Sequence, residues 1–280
     1  MNWILTILLL FFSFEVGRWT VRPGKMWLLT EEIVTTNYQG KSLPTGFGGV
    51  LIFLFLLLSS VVAFFSFFFF YIATDLFLTV LFASISVCFL GWLDDTKGSH
   101  HAKGFRGHFR ELFVHRRLTT GMIKAVGGGA VATIAATVTS VGFTEWVVHT
   151  LFIGLMTNWI NLLDLRPGRS IKFYLAGTIL LLLLPGGKSY ALLFVPLLGL
   201  VLAVFRYDLN AKVMLGDSGS NLLGVHLALW TAVVSPLWLL TVLTLLLIFG
   251  HYYGETRSLS RLIEESRWLG LLDRWGRGES

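Results

Sequence analysis

Charge is scarce in this 280-residue chain: Asp, Glu, Lys and Arg make up only 14% of it, against about a quarter in soluble domains. That shortage excludes an ordinary soluble globular protein. Cysteine is rarer still. The single Cys88 lies inside an apolar run, so an intrachain disulfide is ruled out and redox chemistry has no support. The first apolar segment lacks both a basic leader and an A-x-A cleavage site, and it reads as an uncleaved anchor. No internal repeat stands out. What the chain has in abundance is apolar surface: 55% hydrophobic residues, 24 Phe, 10 Trp and a mean hydropathy of +0.73. Phe on lipid-facing sides and Trp in interfacial belts fit a polytopic helical membrane protein.

Apolar segments of about one bilayer span fall near 2–17, 47–70, 72–93, 121–141, 146–163, 171–185, 190–205, 221–235 and 236–253. The expected fold is therefore an all-α bundle of about nine transmembrane helices. Alternating spans would put 18–46, 94–120, 164–170, 206–220 and 254–280 on one side. That side carries 20 of the 22 basic residues; Lys124 sits near the same face and Lys188 is the clear exception. The positive-inside rule makes it cytoplasmic and places the N-terminus outside. The net charge of +6 thus reflects topology, and nucleic acid is not an expected partner. Asp94, Asp95, Asp164, Asp208 and Asp217 fall on this same side, near span ends. Two stretches there, 104–117 and 258–275, mix apolar and basic residues at helical spacing and suit a membrane surface.

Three motifs concentrate chemistry at that face, and a glycine-rich turn accompanies them. Gly91-Trp92-Leu93-Asp94-Asp95 sets two carboxylates at the end of an apolar run. Adjacent acids repel, which favours a bound cation or a raised pKa; ionised groups beside lipid mark function by default. In Asn158-Trp159-Ile160-Asn161-Leu162-Leu163-Asp164 three polar residues repeat at i, i+3 on one helical stripe. Met214-Leu215-Gly216-Asp217-Ser218-Gly219-Ser220 offers Asp217 as a hard oxygen ligand. Its Ser218, Ser220 and backbone N–H groups are suited to phosphate at a helix start. The turn is Pro44-Thr45-Gly46-Phe47-Gly48-Gly49, whose glycines allow close backbone approach.

Taken together, P-T-G-F-G-G, G-W-L-D-D, N-x-x-N-x-x-D and M-L-G-D-S-G-S resemble the polyprenyl-phosphate sugar-1-phosphate transferase family over roughly residues 37–225. The resemblance implies transfer of an amino-sugar 1-phosphate from a UDP-amino-sugar to polyprenyl (undecaprenyl) phosphate, releasing UMP, with Mg²⁺ or Mn²⁺ as cofactor. It implies Asp217 as metal ligand and Asp94 and Asp95 as the catalytic acidic pair. Asn158, Asn161, Asp164, Lys124 and Ser218 would contact substrate. The chain departs from the family pattern at two places. Pro167 stands where a second acid of the N-x-x-N-x-x-D motif is usual, flanked by Arg166 and Arg169, which we expect to bind phosphate. The histidine-rich loop after the ninth span is also missing, and His251-Tyr252-Tyr253-Gly254-Glu255 is a poor replacement.

The expected organisation is a transmembrane catalytic domain over 1–255 and an amphipathic cytoplasmic tail over 256–280. The expected setting is the bilayer of a bacterial cytoplasmic membrane, with the active face cytoplasmic and a role in cell-envelope glycan assembly. A homodimer is left open. The competing reading is a non-catalytic relative that binds nucleotide-sugar or polyprenyl phosphate as a sensor or scaffold. A transporter fits less well, because its ionisable residues should lie near the midplane, whereas these gather at one interface.

Overall fold

The computed structural model describes residues 3–37, 39–97, 111, 114–116, 119–184 and 186–277. Apart from 111 and 114–116, the helix expected over 104–117 lies outside them. Helices dominate, as they must where lipid offers no partner to backbone N–H and C=O groups. The long ones are α1 (Trp3–Thr30), α2 (Gly48–Phe69), α3 (Thr74–Lys97), α4 (Thr120–Thr139), α5 (Phe143–Leu163), α6 (Arg169–Leu183), α7 (Ala191–Leu209), α8 (Gly216–Val234) and α9 (Leu237–Thr256). Two short helices, α10 (Leu259–Glu265) and α11 (Arg267–Arg274), follow. Among the described residues seven helical segments are long and apolar enough to cross a membrane: α1 to α5, Gly187–Leu209 and α9.

The two remaining long helices differ from the spans expected over 171–185 and 221–235 for separate reasons. Helix α6 has 15 residues, about 22 Å at 1.5 Å per residue, short of a hydrocarbon core about 30 Å thick. Helix α8 opens with G-D-S-G-S-N and is diluted by polar residues, because it is the element that the others surround. It is buried from Ser218 through Ala232 and packs against α2, α3, α5 and α6. Two of its interior side chains reach partners on the surrounding segments. His226 Nδ1 lies 3.0 Å from Tyr174 Oη, and Trp230 Nε1 donates to the Gly187 carbonyl at 3.1 Å. Helix α1 lies along α7, α4 bridges α3 and α5, and α9 rests on α5.

One expectation needs correction. The first helix continues to Thr30, well past the apolar segment at 2–17, so Arg18, Arg22 and Lys25 are helical rather than in a loop. Buried Val21 and Leu28, two turns apart, give that extension an inward stripe. The all-α architecture is otherwise as expected, with one short hairpin beside the helices. Val34–Thr36 (β1) and Ser42–Pro44 (β2) form an antiparallel hairpin with Thr35 opposite Leu43. Asn37 shapes its turn by accepting from the Gln39 and Lys41 backbone N–H groups, both at 2.9 Å. The hairpin delivers the glycine-rich turn to the polar end of the bundle.

Candidate active site at the polar end of the bundle

The turn at 44–48 and the start of α8 are joined along their backbones. Met214 N donates to Pro44 O at 2.8 Å, Phe47 N to Met214 O at 3.2 Å and Gly48 N to Leu215 O at 3.2 Å. This contact leaves no room for side chains. A Cβ on Gly48 would stand 2.1 Å from Gly219 N. Gly216 has φ of +69°, and a Cβ there would meet Asp95 Oδ2 at 2.6 Å. Gly48→Ala is therefore expected to lower the melting temperature in detergent by several degrees, since the atoms it would meet, of Ser218 and Gly219, are backbone. An unshifted melt would refute the close approach.

That approach brings the end of α3 against the N-terminus of α8. Asp95 caps it: Oδ1 accepts from Asp217 N at 2.8 Å, and Oδ2 from Ser218 N at 3.0 Å and Ser218 Oγ at 2.8 Å. Two orphan donors of the first turn are thus satisfied by an anion placed where the helix dipole favours one. Asp94, half-buried, faces the Asp217 carboxyl instead.

Asp217 is the node of the cluster. It forms an ion pair with Lys124 of α4, whose side chain is 17% exposed. The Asn161 amide, oriented to satisfy its neighbours, donates from Nδ2 to Asp217 Oδ1 at 3.0 Å and to Ser220 Oγ at 2.7 Å. Its Oδ1 accepts from Lys124 Nζ at 2.8 Å. Residues from α3, α4, α5 and α8 therefore meet within hydrogen-bonding distance. Asn158 lies one turn earlier on α5, half-buried.

Asp164, just past α5, accepts from Ser170 Oγ at 2.5 Å. Burial pushes its carboxyl well above the ordinary carboxylate range; the carboxyls of Asp208, Asp217 and Asp95 push the same way, and Ser170 opposes them. A small cleft beside it is lined by Asn37, Arg166, Pro167, Asp208 and Met214 among others. Asp208, buried at the end of α7, accepts from Gly168 N at 2.7 Å and from the Leu215 N–H. It ties the loop after α5 to the loop before α8. The sequence placed Asp208 on the acidic face without a role, because its partners are backbone N–H groups that no residue pattern reveals.

The family model for glycosyl transferase family 4 matches residues 77–235, more than half of the 280 residues. The chain belongs to glycosyl transferase family 4. The match takes in Asp94, Asp95, Lys124, the Asn158–Asp164 stripe and Asp217, and it leaves the glycine-rich turn and the tail outside. No curated protein matches the chain.

Beyond the stretch matched to glycosyl transferase family 4, the tail returns to the site. Arg169, expected from the sequence to bind phosphate, is engaged by the tail. Its Nε and Nη2 donate to Asp273 Oδ1 and Oδ2, both at 3.0 Å, and its Nη1 to Ser260 Oγ at 3.1 Å. Both side chains are nearly buried, at 7% and 6% exposure. Arg277 adds bonds to the same carboxylate at 2.6 and 3.1 Å and donates to Pro167 O at 2.9 Å. Arg166 Nη2 meets Glu264 Oε1 at 3.0 Å, and Lys172 Nζ donates to the Leu272 and Asp273 carbonyls at 2.9 and 2.8 Å. The bidentate fork of Arg169 is thus closed by protein. Nothing in the sequence signalled this pairing, because Asp273 lies 104 residues away. His251 lies apart from the cluster on α9; its Nδ1 meets Leu247 O at 2.8 Å and its ring sits against Trp159 of α5.

A pH dependence follows from this pairing. Burial pushes the Asp273 carboxyl up, but the Arg169 and Arg277 guanidiniums outweigh it and hold it below the ordinary range. A lowered carboxyl contributes stability that is fully present above the unfolded value, about 3.9, and is lost as pH falls through the folded one. Tail docking is therefore expected to persist at neutral pH and to fail in acid below about pH 4. Protease cleavage within 257–277, followed from pH 7 downwards, measures this. Cleavage already fast at pH 6 would contradict the pairing.

Proposed function

We propose that this chain transfers an amino-sugar 1-phosphate from a UDP-sugar to a polyprenyl phosphate at the membrane surface. The observation that carries the reading is the convergence of Asp94, Lys124, Asn161 and Asp217 at one end of an otherwise apolar bundle. Membership of a glycosyl transferase family supports a transferase. A lipid acceptor arriving along the bilayer explains why such chemistry would sit on membrane helices. The topology we propose puts this face in the cytoplasm, where nucleotide-sugars are made.

The donor set suits Mg²⁺. Among the described residues no three His, Cys, Asp or Glu side chains gather into a self-sufficient metal site. Mg²⁺ asks for less: one or two carboxylates, several waters and the substrate's own phosphates. Asp217 would hold it, and when bound it would neutralise charge developing on the pyrophosphate. Lys124 would release Asp217 and turn to phosphate. Asp94 would take the proton of the lipid phosphate. An oxygen of that phosphate would then attack the β-phosphorus of the UDP-sugar, forming one P–O bond as the bond to the α-phosphate breaks and UMP leaves. Asn161 would keep Asp217 oriented, and Asp164, with Asn158, would face the nucleotide. A covalent route through Asp94 uses the same groups.

Purified protein with undecaprenyl phosphate, Mg²⁺ and a panel of UDP-sugars is expected to release UMP with one donor, and only with lipid and metal present. The closed Arg169 fork and Pro167 favour one competing reading, a relative that binds donor or lipid without turnover. UDP-sugar binding by folded protein with no UMP from any donor would establish that reading instead.

A further inference from the structure

Helix α11 is docked with its sides reversed relative to a water-facing helix. At 100° per residue, Trp268, Leu271 and Leu272 gather on one side, while the buried Gly270 and Asp273 lie opposite. The apolar side faces away from the protein: Trp268 is 77% exposed, Leu272 64% and the following Trp275 70%. The side turned inward carries the acid. Exposed Arg267 and Arg274 flank this surface along one side of α11, exposed Arg257 and Arg261 precede it in the tail, and residues 257–277 hold five arginines against the three acids Glu264, Glu265 and Asp273. Tryptophan beside leucine, flanked by arginine, is the composition of helices that lie in the headgroup boundary of an anionic leaflet. The loop gripped by the inward side, 165–169, is the one that departs from the sugar-1-phosphate transferase pattern.

We propose that α11 is a membrane-seated brace: its outward face lies in an anionic lipid surface, and Asp273 on its inward face holds the 165–169 loop through Arg169 and Arg277. Asp273 is then a positioning residue. Arg169 reaches it from the first turn of α6, Arg277 ties it to Pro167 O, and Ser170, next to Arg169, holds Asp164. Seating the tail in lipid therefore fixes the backbone on which the Asp164 carboxyl stands. The consequence for turnover rests on the transferase reading; the brace itself does not.

The seat is tested in full-length protein. The lone native cysteine, Cys88, is buried, so Leu271→Cys takes an environment-sensitive dye selectively. In vesicles of phosphatidylethanolamine and phosphatidylglycerol, with bromine on the upper acyl chain, the dye should be blue-shifted and quenched. Emission typical of water, without quenching, would overturn the seat. So would a dye shielded yet unquenched in proportion to protein density, which would assign the face to a second copy.

The brace is read by amide exchange over 165–172. Asp273→Asn should speed exchange about tenfold, as loss of one charge-assisted pair implies, and Asp273→Glu should restore part of the protection. Arg277→Gln gives a smaller rise and serves if Asp273→Asn does not fold. Unchanged exchange in Asp273→Asn and Arg277→Gln would overturn the brace. With an active wild type, Asp273→Asn should raise the donor KM about tenfold while kcat stays within about twofold; an equal fall of kcat would overturn the positioning role. A wild type that releases no UMP would sink the transferase reading alone, and exchange would still decide the brace.

Discussion

Asp217→Asn is expected to reduce UMP release by about a thousandfold or more, the scale seen when a group that meets transition-state charge is removed. The substitution keeps the shape of the side chain and removes its charge. That charge has two uses in the proposed reaction. In the resting site it neutralises Lys124, whose side chain is largely buried, and in the loaded site it would anchor Mg²⁺ against the pyrophosphate. Asn fails at both. An amide oxygen is a weak ligand for Mg²⁺, and its NH₂ presents a donor to Lys124 and Asn161, which already donate at this point. Lys124 would be left as a poorly compensated cation, so some loss of stability should accompany the loss of activity. Asp217→Glu separates the two effects. It restores the charge at a shifted position and should recover stability more fully than rate. Near-normal UMP release from folded Asp217→Asn would remove this residue from the metal role and with it the main support for the proposed mechanism.

The positions of most long helices were legible because lipid imposes one rule, an unbroken apolar run of bilayer length. Segments such as 47–70 and 236–253 correspond to α2 and α9 within a few residues. Where the rule weakens, the reading drifted. Helix α1 runs on past its apolar part because Val21 and Leu28 supply a buried stripe that overall hydropathy hides. The hairpin at Val34–Thr36 and Ser42–Pro44 is too short for any periodicity to announce it.

The candidate site divides along a similar line. Asp94, Lys124, Asn161 and Asp217 were each conspicuous as polar residues at the ends of apolar segments, and the structure brings them together. Asp208 and Asp273 each act through a partner distant in sequence, the Gly168 N–H for one and the Arg169 guanidinium for the other. Arg169 shows the same blindness from the other side. An arginine beside a phosphate-binding motif suggests a ligand, and only the fold reveals that a tail carboxylate has taken its place.

The acidic pair Asp94–Asp95 looked equivalent in sequence, yet the structure gives its members different work, and substitution should split them. In Asp95→Asn one oxygen becomes an NH₂ group facing either Asp217 N or the Ser218 N and Oγ, all of which donate to this carboxylate. At least one backbone N–H at the start of α8 would be left without a partner, at a cost of about 1–3 kcal/mol. Loss of an anion at the helix N-terminus adds about 0.3–1 kcal/mol, up to about 2 where it is partly buried. Because α8 is the central helix, its first turn also holds Asp217 in place. Asp95→Asn is therefore expected to lower both the melting temperature and the rate, so its inactivity by itself would say nothing about chemistry. Asp94 caps no helix and faces Asp217, and Asp94→Asn should melt close to wild type while losing most of its UMP release. The pairing of melt and rate is decisive in both directions. An Asp94→Asn variant with full activity would remove Asp94 as the proton acceptor. An inactive Asp95→Asn with an unshifted melt would move that task to Asp95, and the cap would then have to open during turnover.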